Sequence, residues 1–466
     1  MINQFIIIIP EILLASLAIV MQIVAVYVKN ASKQIAFATT LLGLGVVCYL
    51  LYFMPEYEPG FTLLSFATSR AISLLKAIVL GLALMSLVVY HDLAKIGNSK
   101  LKMEFVTLVL LSTLGVFISI SSRDFMLLFC GLELQALSGY ALAAFNNKSS
   151  KSSEAGLKYF VLGALMSGLM LLGISFLYGF SGSIKFFEIK DALNSFNIGL
   201  IVGSVLVVAA ILFKLSAAPL HIWTPDVYEG APISAVTYFA VAQKVGMLVV
   251  LTNITDEVIG DYTQISNELI KIVAILSMIV GSLGAIRQTS LKRLMAYSTI
   301  LNIGYVLVGV CLRSPEGNYA AFVYMLIYVI GVMGFFACIV ALFGLKSDEA
   351  TFEDLQGIAK SRKTLAAAIS IVMFSMIGLP PLAGFFGKYY IFYNAVVEGE
   401  ITLALIGLLS SVVAAFYYLK IIKCMYFMES KKEVMIIPTK RGLWIVTFLT
   451  LTFILFFFTF AQKYIV

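Results

Sequence analysis

Apolar runs separated by short polar connections recur from one end of the chain to the other. Each is about 18 residues or longer, enough to cross a hydrocarbon core of about 30 Å as a helix and too long for the strand of a barrel. The pattern predicts fourteen spans, at 5–28, 35–54, 70–92, 104–121, 124–145, 155–180, 197–224, 233–255, 266–286, 291–312, 318–345, 364–397, 400–428 and 443–463. Two are unusually long, 197–224 and 364–397, and both carry interior proline breaks. The first break opens the run FKLSAAPLHIWTPDVYEGAP at 213–232, and the second lies in GLPPLAGFFGKYY at 378–390.

Composition agrees with this pattern. With 466 residues, 61% hydrophobic, 12% charged and a mean hydropathy of +1.01, the chain has too little polar surface to coat a soluble globule of its size. Met1 to Gln4 lacks the basic region of a cleavable signal, and the first apolar stretch is long enough to span.

Charge sets the expected orientation. Connections after odd-numbered spans hold 18 Lys and Arg residues and those after even-numbered spans hold 5, so odd connections are expected to face the cytoplasm and both termini the periplasm. The net charge of +7 is this bias and points to no nucleic-acid partner. Cys48, Cys130, Cys311, Cys338 and Cys424 are isolated and read as small core residues. The only histidines are His91 and His221, so neither an iron–sulfur cluster nor a bis-histidine haem within the membrane has a ligand set. No metal site or cofactor is expected on this chain.

What remains is a set of ionisable residues at membrane depth. Glu133 is near the middle of the fifth span, Lys244 is midway along the eighth, and Lys214 and Lys388 lie beside the two breaks. Lys158 is about a turn inside the sixth span. Lys76, Lys271, Lys420 and Lys423 lie near span ends, where a lysine can reach the headgroups. A charge at the bilayer centre costs about 2.5–3.5 kcal/mol on insertion scales. Three deep lysines outnumber the single carboxylate, so pairing alone cannot neutralise the set. Lysines whose charged and neutral forms are close in free energy can take a proton from one side and release it to the other, and Glu133 is suited to bias them. His221, Tyr389, Tyr390 and Tyr393 could lengthen such a path.

Irregular backbone at depth is tolerated where it is buried in protein or lines a wet cavity, commonly at matching places in two internal repeats. Ala218-Pro219-Leu220 echoes Pro380-Pro381-Leu382 at an offset of 162, and Gly139-Tyr140-Ala141-Leu142 echoes Gly304-Tyr305-Val306-Leu307 at 165. Repeats five helices apart must be inverted. The expected fold is therefore an all-α polytopic membrane protein of about fourteen transmembrane helices, with two inverted five-helix repeats (helices 4–8 and 9–13) and with helices 7 and 12 broken. Its parts would be a three-helix segment at 1–103, half-channels at 104–255 and 266–428, and a C-terminal helix at 443–466.

Glu133, Lys214 with the PLHIWTPDVYEGAP run, Lys244, and Lys388 after the LPP break resemble the antiporter-like subunits of proton-pumping NADH:quinone oxidoreductase, respiratory complex I. The resemblance covers nearly the whole chain. PDVYEGAP and the total length are most similar to the N-type subunits, the counterparts of mitochondrial NADH dehydrogenase subunit 2. It implies a proton-translocating module of the membrane arm within a translocase of the EC 7.1.1 class, in the bacterial inner membrane. NADH, FMN, iron–sulfur clusters and quinone would be bound by other subunits, and the partners would be neighbouring membrane subunits and, through them, the hydrophilic redox arm. By the same resemblance Glu133 and Lys214 form a control pair, Lys244 is the central relay, Lys388 the outlet relay and Lys158 a supporting base, with Pro219 and Pro381 supplying the breaks. A subunit of a multisubunit cation/proton antiporter or of a membrane-bound hydrogenase shares much of this pattern, and VYEGAP weighs against it. A free-standing transporter would need a solute pocket near the breaks, where only Asp226 and Glu229 add charge.

Overall fold

A lipid-facing backbone must satisfy its own hydrogen bonds, and the helix is the local way to do so. The computed structural model describes residues 8–27, 42–47, 49–52, 62–63, 65–97, 101–193, 197–259, 264–429 and 439–464, and these are almost wholly helical. In chain order the helices are α1 Ile9–Tyr27, α2 Arg70–Ile96, α3 Met103–Ser121, α4 Phe125–Ala143, α5 Ser150–Ser181, α6 Phe186–Leu193, α7 Ile198–Leu215, α8 Trp223–Gly230 and α9 Ile233–Ile254. They continue as α10 Gln264–Ile286, α11 Leu291–Cys311, α12 Pro315–Phe343, α13 Ile358–Ser361, α14 Lys363–Ile377, α15 Ala383–Val397, α16 Ile401–Phe427 and α17 Arg441–Tyr464. Among the described residues eleven helices are long and apolar enough to cross a membrane, and Ile9–Val24, Leu42–Tyr52 and Lys363–Ile377 are shorter apolar helices that fall on the other three predicted spans. Half of the span expected at 35–54 lies outside the described residues, Cys48 included. Among the described residues a two-residue hairpin, Thr62–Leu63 with Phe66–Ala67, and the helices α6, α8 and α13, each too short to span, interrupt the series of long helices.

Both long spans are interrupted where proline requires it. The seventh splits into α7 and α8 and the twelfth into α14 and α15. Each break has the same build: a residue with positive φ, Ser216 at 70° or Gly378 at 95°, followed three residues later by a cis proline, Pro219 or Pro381. The same likeness extends through the preceding helices. Asp124 caps α4 by accepting from the Leu127 amide, and Ser290 caps α11 by accepting from the Arg293 amide, 166 residues on. The bridge Asp124–Lys185 recurs as Ser290–Thr351 at the same offset. Ser149 and Ser314 cap α5 and α12 at 165. Tyr140 meets Tyr159 edge to face, and Tyr305 meets Tyr324 in the same way, again at 165. The faint sequence echoes thus belong to a repeated structure with its own caps, bridges and ring pairs.

The chain divides into two units, one of Met1–Leu87, Ser99–Lys214 and Ala242–Ser266, the other of Val88–Asn98, Leu215–Val241 and Asn267–Val466. In the first, α3 and α4 approach most closely because glycines face each other: a Cβ on Gly115 would come within 2.5 Å of the Gln135 amide and the Gly131 carbonyl. Lys76 does not reach for headgroups as its place in the sequence suggested. It is 1% exposed, pairs with Glu11 at 2.5 Å, and sits over the Phe66 and Phe117 rings at 5.3 and 5.8 Å. In the second unit Lys271 is likewise held, by Glu400 at 2.5 Å and Glu268 at 3.1 Å. Cys311, Cys338 and Cys424 are buried as expected, whereas Cys130 is exposed on α4.

Gly115→Val should force α3 and α4 apart against backbone that cannot yield, at a cost of about 1–3 kcal/mol or more. The check is the yield of assembled protein in membranes, expected to fall for Val and to fall less for Ala.

Candidate functional site

An α-helix that ends abruptly leaves its last carbonyls without partners, and a cation there also meets the negative end of the helix dipole. Both breaks create this situation, and at both a lysine answers it. In the first unit Lys244, 2% exposed in the middle of α9, donates to the Lys214 carbonyl at 3.0 Å, at the end of α7. In the second unit Lys388, 7% exposed on α15, donates to the Ile377 carbonyl at the end of α14, 3.0 Å away. Lys388 also donates to the Ser411 hydroxyl at 2.8 Å and lies 5.4 Å from the centre of the Tyr305 ring.

Glu133, Lys214 and Lys244 come together. The Lys214 ammonium donates to the Leu132 carbonyl at 3.3 Å, next in sequence to Glu133. The Glu133 carboxylate accepts a hydrogen bond from the Ser167 hydroxyl of α5. Lys214 is thus held beside Glu133 through backbone, while the carboxylate is engaged by a neutral hydroxyl. A change of charge at Glu133 would act on Lys214 through the field, since among the described residues no ion pair joins the two side chains directly.

The supporting residues are placed less uniformly. Lys158 pairs with Glu154 one turn earlier at 2.8 Å, with 43% of its side chain exposed. His221 lies in the first break, where its carbonyl accepts from the Thr224 amide at 2.8 Å and its buried Nδ1 makes no hydrogen bond among the described residues. Pro219 and Pro381 are exposed. Tyr390 is half-buried with its ring edge against Tyr319, and its carbonyl accepts from the Asn394 side-chain Nδ2. Tyr389 and Tyr393 are exposed and stacked on one another.

Sequence reading missed what holds the PDVYEGAP segment. Asp226 and Glu229 both accept from the Arg293 guanidinium, at 2.9 and 2.8 Å. Lys292, taken as a connection charge, is 2% exposed; it donates to the Ala231 carbonyl at 2.8 Å and lies 3.6 Å from Asp348. Asp348 in turn accepts from the Ile233 amide at 2.6 Å. The two acids proposed for a solute pocket are therefore engaged in fastening α8 to α11. Their spacing of three residues, which places both on one helical face, was the available signal.

The family model described as NADH:quinone oxidoreductase/Mrp antiporter, TM matches residues 122–414. The chain belongs to this family. NADH-quinone oxidoreductase subunit N of Rickettsia felis is 53% identical over 96% of this chain and 97% of its own length. The subunit of that name from Rhodospirillum rubrum is 42% identical over 90% of this chain and 87% of its own. Among solved structures, a chain of respiratory complex I from Thermus thermophilus, determined with bound aureothin, is 27% identical, with a TM-score of 0.79 covering 95% of this chain and 96% of that one. The antiporter-like membrane fold expected from the sequence is the fold observed.

Asp348→Ala should destabilise the protein more than Lys292→Met. The first strands a buried ammonium and an amide, whereas the second removes the charge and keeps an apolar stem. Thermal unfolding of the detergent-solubilised complex would rank the two, and an equal or reversed order would count against the fastening role.

Proposed function

We propose that this chain is the N-type, proton-translocating membrane-arm subunit of NADH:quinone oxidoreductase, with electron transfer from NADH to quinone on other subunits driving its proton movement. The observation that carries the reading is the meeting of Glu133, Lys214 and Lys244 at a broken helix, together with the second lysine-closed break at Lys388. Glu133 and Lys214 act as the control pair. When an adjoining subunit draws the Glu133 carboxylate towards or away from Lys214, the ammonium is held or released, and Lys244 gains or loses its proton in response. Lys388 passes a proton towards the outlet or the neighbouring subunit, and Lys158, His221 and Tyr390 support the path. Pro219 and Pro381 keep the helix ends open to the lysines. Neighbouring antiporter-like and small membrane subunits are the direct partners, and they connect the chain to the redox arm that carries FMN, the iron–sulfur clusters and the quinone site. The chain itself binds none of these groups. It lies in the bacterial inner membrane with both termini periplasmic.

Lys214→Ala and Glu133→Ala should depress both NADH-driven proton pumping and quinone reductase activity in a complex that still assembles, and Lys244→Ala should behave likewise. Acridine-dye quenching in inverted vesicles measures pumping, and a native gel stained for NADH dehydrogenase activity measures assembly. Normal pumping by an assembled variant would reject the role of that residue, and migration of the chain apart from every active band would reject membership in the complex.

A further inference from the structure

The second unit has a gap in its charges. After Lys292 and Arg293 at its start, α11 carries no acid or base, and α12 carries only Glu316 in its first turn. The ring pairs Tyr140–Tyr159 and Tyr305–Tyr324, at an offset of 165, match Glu133 to Ser298, and the Asp124 and Ser290 caps, at 166, match it to the adjacent Thr299. Where the first repeat has its carboxylate, the second has a buried hydroxyl.

That hydroxyl is the centre of a network. Ser298 shares hydrogen bonds with the Tyr418 hydroxyl at 2.6 Å and the Tyr328 hydroxyl at 3.4 Å, and Tyr328 donates to Thr299 at 2.9 Å. One turn along, the Asn302 amide donates to the Ser298 carbonyl at 2.7 Å and to the Tyr418 hydroxyl at 3.4 Å, while its oxygen accepts from the Tyr324 hydroxyl. Tyr324 meets Tyr305 edge to face at 5.9 Å, and the Tyr305 hydroxyl is 3.1 Å from the Ser410 hydroxyl, next in sequence to the Ser411 that accepts from Lys388. Ser298, Asn302 and Tyr305 lie on one face of α11 and span about 10 Å of helix rise. Apart from Ser411 every one of these groups is buried.

We propose that the hydroxyls of Ser298, Tyr418, Tyr328, Tyr324 and Tyr305 form a neutral proton relay that leads to Lys388, and that Asn302 is the positioning residue that orients them. The inference rests on the proton-translocating reading above. Each hydroxyl is at once donor and acceptor. It can therefore accept a proton on one side as it gives up its own on the other, so that one proton moves and no isolated tyrosinate is left unpaired in the core. The Asn302 side-chain amide stands between Tyr418 and Tyr324 and passes no proton itself, so the step from Tyr418 to Tyr324, like the step from Tyr324 to Tyr305, is closed by rotation of the Tyr324 hydroxyl or by one bridging water. At the end of the path the neutral Lys388 amine takes the proton that the Ser411 hydroxyl passes on, and Ser411 regains one from the relay. Structural adhesion alone would be served by phenylalanine at less desolvation cost, and the position matching Glu133 would not need a polar group.

The test measures protons pumped per NADH oxidised by the whole complex in inverted vesicles, for Ser298→Ala, Ser298→Thr, Tyr418→Phe, Tyr324→Phe and Lys388→Met. The relay requires that Ser298→Ala, Tyr418→Phe and Tyr324→Phe fall to the level of Lys388→Met without further loss when combined with it, that Ser298→Thr retains pumping, and that pumping slows in deuterium oxide. Normal pumping by Ser298→Ala and Tyr418→Phe beside a defective Lys388→Met overturns the relay and leaves the proposed function intact. Defective tyrosine variants beside a normal Lys388→Met overturn the link to Lys388. Normal pumping by both Lys388→Met and Lys214→Ala overturns the reading of the lysines on which the relay depends. Should a tyrosine variant fail to assemble, the contrast of Ser298→Ala with Ser298→Thr decides: equal pumping by the two overturns the relay.

Discussion

A helix that stops inside the bilayer must find partners for its last carbonyls, and the rest of this structure depends on how that requirement is met. Lipid offers no hydrogen bonds, and each unsatisfied group costs several kcal/mol. Here the partner is a lysine in both repeats, Lys244 at the Lys214 carbonyl and Lys388 at the Ile377 carbonyl. The helix end thereby makes a buried cation tolerable, and the cation makes the broken helix tolerable. Their dependence is mutual, which gives a physical reason for breaks and deep lysines to occur together.

The two repeats solve this common problem with different chemistry. The first gathers charge, with Glu133 beside Lys214 and Lys214 leading to Lys244. The second has a single deep lysine and surrounds α11 with hydroxyls and one amide. Caps, bridges and ring pairs recur at offsets of 165 or 166, so the scaffold has been kept while the polar cargo has changed. A charged site can respond to a neighbour's field at a distance, whereas a hydroxyl network responds only through contact. The first arrangement suits control and the second suits conduction.

Charges outside these sites do structural work that span position alone concealed. Lys76 has the look of a residue reaching for the headgroups and Lys292 of a charge in a connection, yet each is buried against a carboxylate, Glu11 or Asp348. Asp226 and Glu229, the charges that might have lined a pocket, are taken up by Arg293. Of the tyrosines expected to extend a proton path, Tyr389 and Tyr393 face outwards and Tyr390 is half-buried against Tyr319, whereas Tyr305, Tyr324, Tyr328 and Tyr418, which the sequence did not single out for it, are buried and hydrogen-bonded.

The spans, the two breaks and the burial of Lys244 and Lys388 were legible in the sequence, because hydrophobic length and the absence of an amide on proline act locally along the chain. Whether a lysine near a span end reaches solvent or a buried acid depends on which helix packs beside it, and one sequence does not say which. Ser298 is an unremarkable serine in an apolar run, and only the packing of α12 and α16 around α11 brings the Tyr328 and Tyr418 hydroxyls to it. The sequence by itself determined where the helix must stop and that lysines stand beside the stops. Tertiary structure alone decided which partner each buried group would have, because hydrogen bonds and ion pairs between helices depend on distances of a few ångströms between residues far apart in the chain.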